Sequence, residues 1–235
     1  MHILALETSM GQCSAALIRI DGASRTSFVR RAEMMRGHAE ALMPMVEEVL
    51  AEAGLAEAGL QPHTIDTIAA TSGPGSFTGV RIAIAAARGL ALTTGASLFG
   101  TDSLTVLART ALRAGLAPGG PFAICADARR GMIYFGLYDE NGVRLDGPLL
   151  CAPEEAAQLM PPALMIAAGS GAQLVAEAAS ALDREIGTAF PNLQPDARAL
   201  AELASESDQR HAHLRPLYLR PPDAKPQNSA LERRR

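Results

Sequence analysis

The chain has few of the residues that carry most nucleotide and metal chemistry. Of its 21 basic side chains only one is a lysine, Lys225, and it lies in the C-terminal tail. A phosphate loop of the Walker A type needs a lysine directly after its glycines, so that class is excluded. Cysteine is also scarce. Cys13, Cys125 and Cys151 are odd in number and far apart, and none falls in a Cys-x-x-Cys spacing. They argue against a disulfide framework or a zinc site and fit a reducing compartment. No long apolar run is present: the longest, Ile82 to Leu92, is interrupted by Arg88 and falls short of the ~20 residues a membrane span requires. Met1 to Leu6 meets Glu7 without a leader pattern, so a soluble cytoplasmic protein without membrane contact is expected. The formal net charge is −4, with acids and arginines interspersed. Independent, non-specific nucleic-acid binding needs several cations on one surface, and this balance argues against it. A chain of 235 residues is long enough to bury a sizeable core, as one large domain or two small lobes.

What is present is organised around Ala69 to Leu92. Ile65 to Ala70 is a short apolar run of the kind a buried strand makes. It stops at Thr71-Ser72-Gly73-Pro74-Gly75-Ser76, where two glycines permit left-handed backbone or a close approach of main chains. Thr78 is the expected N-cap of a helix from Gly79 to Leu92 made mostly of alanine, glycine, isoleucine and leucine. A helix so apolar all round needs cover on more than one side: a sheet on one, a docking partner on the other. The loop is not a Gly-x-Gly-x-x-Gly fingerprint, because Gly73 and Gly75 are followed by Thr78 and Gly79.

Upstream, Ile3 to Leu6 and Cys13 to Ile20 read as a hairpin around the polar turn Glu7 to Gln12, with a third strand near Thr26 to Arg31. An acid and hydroxyls at a strand end, before a Gly turn, fit either a phosphate-holding turn or an ordinary hairpin turn. Gly37 to Ala53 is helical, and Pro44 must sit in its first turn or kink it. His38 reads as a cap or core histidine rather than a ligand, since no second ligand stands at a metal spacing. Ser97 to Phe99 is a further strand. Shifting the sequence by 120 positions places Glu7 on Asp127, Gly11 on Gly131, Leu17 on Leu137 and Gly22 on Gly142. Ile166 to Gly171 repeats the strand-to-Gly-x-Gly turn before a helix from Ala172 to Leu182, and Asp196 to Ser205 is a last amphipathic helix. The order predicts an α/β chain of two duplicated β-β-β-α-β-α lobes with mixed sheets flanked by helices, the actin-like (ASKHA) plan. The lobes are expected over residues 1–102 and 103–220, with a Pro-rich, unfolded tail over 221–235.

The string Gly73-Pro74-Gly75-Ser76-Phe77-Thr78-Gly79-Val80-Arg81 resembles the hallmark of the bacterial TsaB (YeaZ) family. Ile3 to Leu17, His38 to Leu50, Asp127 to Tyr134 and Pro216-Leu217-Tyr218-Leu219-Arg220 resemble four further family segments in the same order. The resemblance implies a non-catalytic partner of TsaD, and through it of the ATPase TsaE, in making N6-threonylcarbamoyladenosine in tRNA. It implies contact with tRNA only through the complex and no cofactor of its own, ATP and metal being held by the partners. The apolar surface left over on the two N-terminal helices predicts a homodimer when the chain is alone. The docking surface is expected on the two N-terminal helices, at Leu42, Met45, Val49, Arg81, Ile84, Ala85, Arg88 and Leu92. Remnants of a nucleotide or phosphate site are expected at Glu7, Thr8, Ser9, Gly73, Gly75, Asp127, Gly169 and Gly171.

Two classes of function compete. An ASKHA-type transferase or kinase needs a metal-bound phosphate pocket and a base. The resemblance implies that TsaD holds a metal-binding histidine pair just beyond the helix corresponding to Gly79 to Leu92. Here Gly100 to Ala108 has no histidine, and Asp102 alone cannot supply a catalytic metal's ligands. Nucleophilic hydrolysis finds no Gly-x-Ser-x-Gly elbow around Ser76 or Ser170, although triads are recognised by geometry rather than spacing. A binding protein without catalytic or metal-ligating residues is therefore the favoured reading. Arg129, Arg130 and the C-terminal arginines are read as a solvated surface or as tRNA contacts within a complex.

Overall fold

The computed structural model describes residues 1–55, 64–162, 166–211 and 213–220. The tail over 221–235, expected to be unfolded, lies outside the described residues. Strands β1 (His2–Glu7) and β2 (Gln12–Asp21) form the expected hairpin, and β3 (Ser24–Glu33) follows through the Asp21-Gly22 turn. Side chains alternate between the two faces of a strand. Leu4, Leu6, Cys13, Ala15 and Leu17 enter one cluster, and Ile3, Ala5, Ala16 and Ile18 enter another. Both faces of the sheet must therefore be covered, and helices supply the cover on each.

On the first face lie α1 (His38–Glu52) and α2 (Phe77–Thr94), which flank β4 (Thr67–Thr71) in the chain. With β5 (Ser97–Thr101) the sheet has the order β3-β2-β1-β4-β5. The N-cap of α2 is Ser76 rather than Thr78: its hydroxyl accepts from Gly79 N at 3.2 Å, so the helix starts at Phe77. Pro44 lies beyond the first turn of α1, on its exposed side, and the helix runs past it to Glu52.

The second half repeats this plan. Strands β6 (Phe122–Asp127), β7 (Ile133–Tyr138) and β8 (Arg144–Cys151), helix α4 (Pro153–Leu159), strand β9 (Ile166–Ala168), helix α5 (Ala172–Ser180) and strand β10 (Gly187–Ala189) form a sheet ordered β10-β9-β6-β7-β8. This is the first order with each strand replaced by its successor in the second half. Glu7 and Asp127 each close the first strand of their hairpin. The fold is the duplicated actin-like plan that the offset predicted.

Two helices cross between the lobes. One of them, α3 (Ser103–Arg113), is not among the elements expected from the sequence. It packs Leu104, Leu107, Ala108 and Ala111 against Phe122, Ile124 and Tyr138 of the second sheet. Helix α6 (Ala197–Glu206) packs Leu200, Ala201 and Ala204 on Ile3, Ala5 and Ala69 of the first. The chain after α6 stays with the first sheet: His211 N donates to Leu98 O at 2.8 Å and Leu217 N to Ser72 O at 2.7 Å. The range 103–220 is therefore not one lobe, because α6 and the closing segment cover the first sheet. The reason is physical: each sheet has a second apolar face that its own two helices do not reach.

Candidate functional site

The turn from Glu7 to Gln12 is sealed. Glu7, Thr8 and Ser9 have no exposed surface. The Gly73 to Gly79 loop closes on it: Ser76 N donates to Ser9 O at 2.7 Å, and the Thr8 hydroxyl donates to Gly79 O at 2.6 Å. A Cβ on Gly75 would stand 2.2 Å from Ser9 O, and one on Gly79 would stand 2.0 Å from Thr8 O. These glycines are required by close backbone approach. They do not line an open phosphate cradle. Gly73, at φ 97°, faces the closing segment, with Leu217 O 3.0 Å from where a Cβ would sit. Gly79→Ala should cost about 2 kcal/mol of stability, the scale of overpacking against a part that cannot yield. Urea denaturation checks it, and an unchanged midpoint would contradict the closure.

The sealed turn holds an unusual carboxyl group. Ser9 N donates to Glu7 Oε1 at 2.5 Å. Burial pushes the Glu7 pKa up to about 7, against the lowering effects of Ser9 and Thr71. The Thr71 hydroxyl lies close enough to act on the carboxylate, yet neither it nor Oε2 makes a hydrogen bond of good geometry. A protonated Oε2 that donates to Thr71 Oγ1 would satisfy both atoms. Burial also pushes the Cys13 thiol up to about 11, helped by Glu7, and raises Cys125 and Cys151. A raised thiol is a poor nucleophile at neutral pH.

In the second lobe Asp127 ends β6 and caps its own turn. Its Oδ1 accepts from Arg129 N at 2.7 Å, its Oδ2 pairs with the Arg129 guanidinium at 3.2 Å, and its N donates to the Ser170 hydroxyl at 3.0 Å. Gly169, at φ 107°, would put a Cβ 2.6 Å from Cys125 O, and Gly171 N donates to that same oxygen at 2.8 Å. Here too glycine serves main-chain contact. Asp102 is the N-cap of α3, accepting from Thr105 N at 3.0 Å, and it pairs with Arg144 of β8 at 2.5 Å. Among the described residues no group of three His, Cys, Asp or Glu side chains is placed to hold a metal ion.

The residues expected on the docking face divide by burial. Leu42, Val49 and Ile84 lie in the core cluster under the first sheet, so none of them is open to a partner. That expectation fails because each falls on the sheet-facing side of its helix. Met45 is half-buried. Arg81, Ala85, Arg88 and Leu92 are exposed along one side of α2, Leu92 at 88%. Ala83 is buried and Ala86 half-buried, which leaves Ala85 as the outward alanine.

Comparison with known proteins bears on what this arrangement belongs to. A family model described as "TsaD: tRNA N6-adenosine threonylcarbamoyltransferase" matches residues 31–209. The tRNA threonylcarbamoyladenosine biosynthesis protein TsaB of Haemophilus influenzae is 31% identical over 236 residues, spanning 94% of each chain. The chain belongs to the TsaB family. The Escherichia coli protein of the same name is 38% identical over 146 residues, a match covering 61% of this chain and 58% of that protein. The solved structure of YeaZ from Pseudomonas aeruginosa is 30% identical, with a TM-score of 0.73 over 93% of this chain and 99% of that one. A second structure from that organism is described as similar to a peptidase YeaZ. In this TsaB-family chain the Ser76 hydroxyl accepts from Gly79 N and the Ser170 hydroxyl from Asp127 N. Among the described residues neither is hydrogen-bonded to a histidine. His38 Nε2 lies 3.1 Å from Met10 O in a nearly buried position, as expected of a core histidine.

One feature of the site escaped the sequence reading. Phe77 from the Gly-rich motif and Tyr218 from the closing motif stack with ring centroids 5.6 Å apart. The Arg81 guanidinium lies 3.4 Å from the Phe77 centroid and 5.4 Å from that of Tyr218. The only signal in the sequence was that both aromatics belong to family motifs. Among the described residues no helix is long and apolar enough to cross a membrane.

Proposed function

We propose that this chain is a non-catalytic subunit in the formation of N6-threonylcarbamoyladenosine in tRNA, docking a TsaD-type transferase through the outer face of α2. Membership of a family whose curated members are named for threonylcarbamoyladenosine biosynthesis supports the pathway. The match to a TsaD family model over most of the chain supports a related fold as the partner, one able to present matching helices. The observation that carries the non-catalytic part is the closure of the Glu7 to Gln12 turn by the Gly73 to Gly79 loop. A phosphate needs free N–H groups and space; here Ser76 N meets Ser9 O, Gly79 N the Ser76 hydroxyl, Ser9 N the Glu7 carboxyl group and Gly11 N the side-chain oxygen of Gln194. Arg81, Ala85, Arg88 and Leu92 form the docking stripe, with half-buried Met45 of α1 as a secondary contact. Alone, the chain covers that stripe with a second copy. TsaE is engaged through the assembly, and ATP and metal belong to the partners.

Calorimetric titration of the pure protein with ATP and magnesium tests this reading. Neither binding heat nor turnover is expected. Steady hydrolysis abolished by Glu7→Ala or Asp127→Ala would replace it with an ASKHA-type transferase or kinase.

A further inference from the structure

We propose that Phe77, Tyr218, Arg129 and Arg220 form a binding patch for single-stranded RNA, with a base stacked on Tyr218 and phosphates held by the arginines. The inference rests on the tRNA-linked reading above for its ligand, and on the following geometry for its place. Phe77 and Tyr218 remain 53% and 46% exposed although they stack on each other. Phe77, itself held under Arg81, fixes the orientation of the Tyr218 ring before any ligand arrives, which reduces the ordering cost of binding. Arg220 Nη2 donates to Arg129 O at 3.2 Å, and this joins the closing segment to the β6–β7 turn of the other lobe. In that turn Arg129 and Arg130 are both exposed and both left-handed, at φ 66° and 57°. Two successive residues with side chains seldom adopt that backbone, and strain of this kind gathers at functional sites. Asp127 offsets part of the charge on Arg129. Arg129 and half-exposed Arg220 thus meet at this junction, and Arg220 stands two residues from Tyr218, on a chain whose formal net charge is −4. An acidic protein surface would match the arginines alone. A strand of bases and phosphates matches the arginines and the ring together.

The test is fluorescence anisotropy of a labelled tRNA anticodon stem-loop with the full chain at about 50 mM salt, where phosphate contacts are strong. Tyr218→Ala should weaken binding roughly tenfold, and Tyr218→Phe, which keeps the ring, should stay within about twofold. Arg220→Ala and Arg129→Gly should each reduce the slope of log affinity against log salt by about one. Glycine at 129 keeps the left-handed backbone, so a loss there reports the charge. Absence of RNA binding by the wild-type chain, or equal binding by Tyr218→Ala, would overturn the proposal. Light scattering of the same variants with a TsaD-type protein separates the two readings. If Tyr218→Ala abolishes that association and leaves RNA binding intact, the patch is a protein contact and the proposal fails. If the wild-type chain shows no association while the RNA results hold, the docking reading fails and this site stands.

Discussion

Glu7→Gln should stabilise the protein by about 3 kcal/mol at pH 8 and have little effect near pH 4. The carboxyl group is fully enclosed, and its pKa is raised from 4.5 to about 7, first of all by burial. A group whose folded pKa is raised holds its proton more tightly in the native state. Its stability contribution is complete below the unfolded pKa and is lost as pH rises through the folded value. The window here therefore runs from about pH 4.5 to about pH 7, and 1.36 kcal/mol per pKa unit sets the size. Glutamine is neutral throughout. It keeps the acceptor for Ser9 N and offers a donor to the Thr71 hydroxyl, the role assigned above to the protonated acid. Urea denaturation of both proteins from pH 4 to 8 isolates this group, since other titrations cancel in the difference. Parallel curves for the two proteins would show that Glu7 is not buried as an acid. An anion at this turn would face a buried acid, which supports the proposed absence of nucleotide binding.

Ala85→Asp should abolish self-association and partner binding while leaving the melting curve unchanged. Ala85 is exposed midway along the stripe that Arg81, Arg88 and Leu92 continue, and Leu92 offers a large apolar side chain almost entirely to solvent. On the free chain an aspartate at this position is solvated and costs little. Within a helix-to-helix interface it is an unpaired buried charge, which costs several kcal/mol, or more than a hundredfold in affinity. Leu92→Asp should act in the same direction. Light scattering of the variants alone reads the homodimer, and an Ala85→Asp protein that still dimerises would move the interface elsewhere.

The hairpins and the duplication were legible because their signals are local and repeated: an acid at a strand end, a Gly turn, the same order 120 positions later. The lobe boundary was only partly legible. Helix α3 was not expected, and its apolar residues Leu104 and Leu107 carry no mark of which sheet they pack on. The crossing of α3 and α6 becomes visible only when two sheets each need a second cover. The outward side of α2 was illegible for a different reason. Apolar residues surround the helix, so hydrophobic periodicity has no clear phase, and Ile84 could not be told from Ala85. The use of the glycines was illegible at the level of contact. A Gly-rich turn before a helix has one sequence signature for two uses, an open anion nest or a main chain pressed on its neighbour, and only the position of Thr8 O and Ser9 O separates them. The Phe77–Tyr218 stack joins residues far apart in the chain, where no spacing rule applies.

The central claim, docking by a subunit with no chemistry of its own, is tested most directly by titrating a TsaD-type protein into the purified chain in a calorimeter. The account predicts saturable association with one partner per chain for the wild type and for Glu7→Gln, and no measurable heat for Ala85→Asp at the same concentrations. Equal association by Ala85→Asp, or none by the wild type, would contradict it.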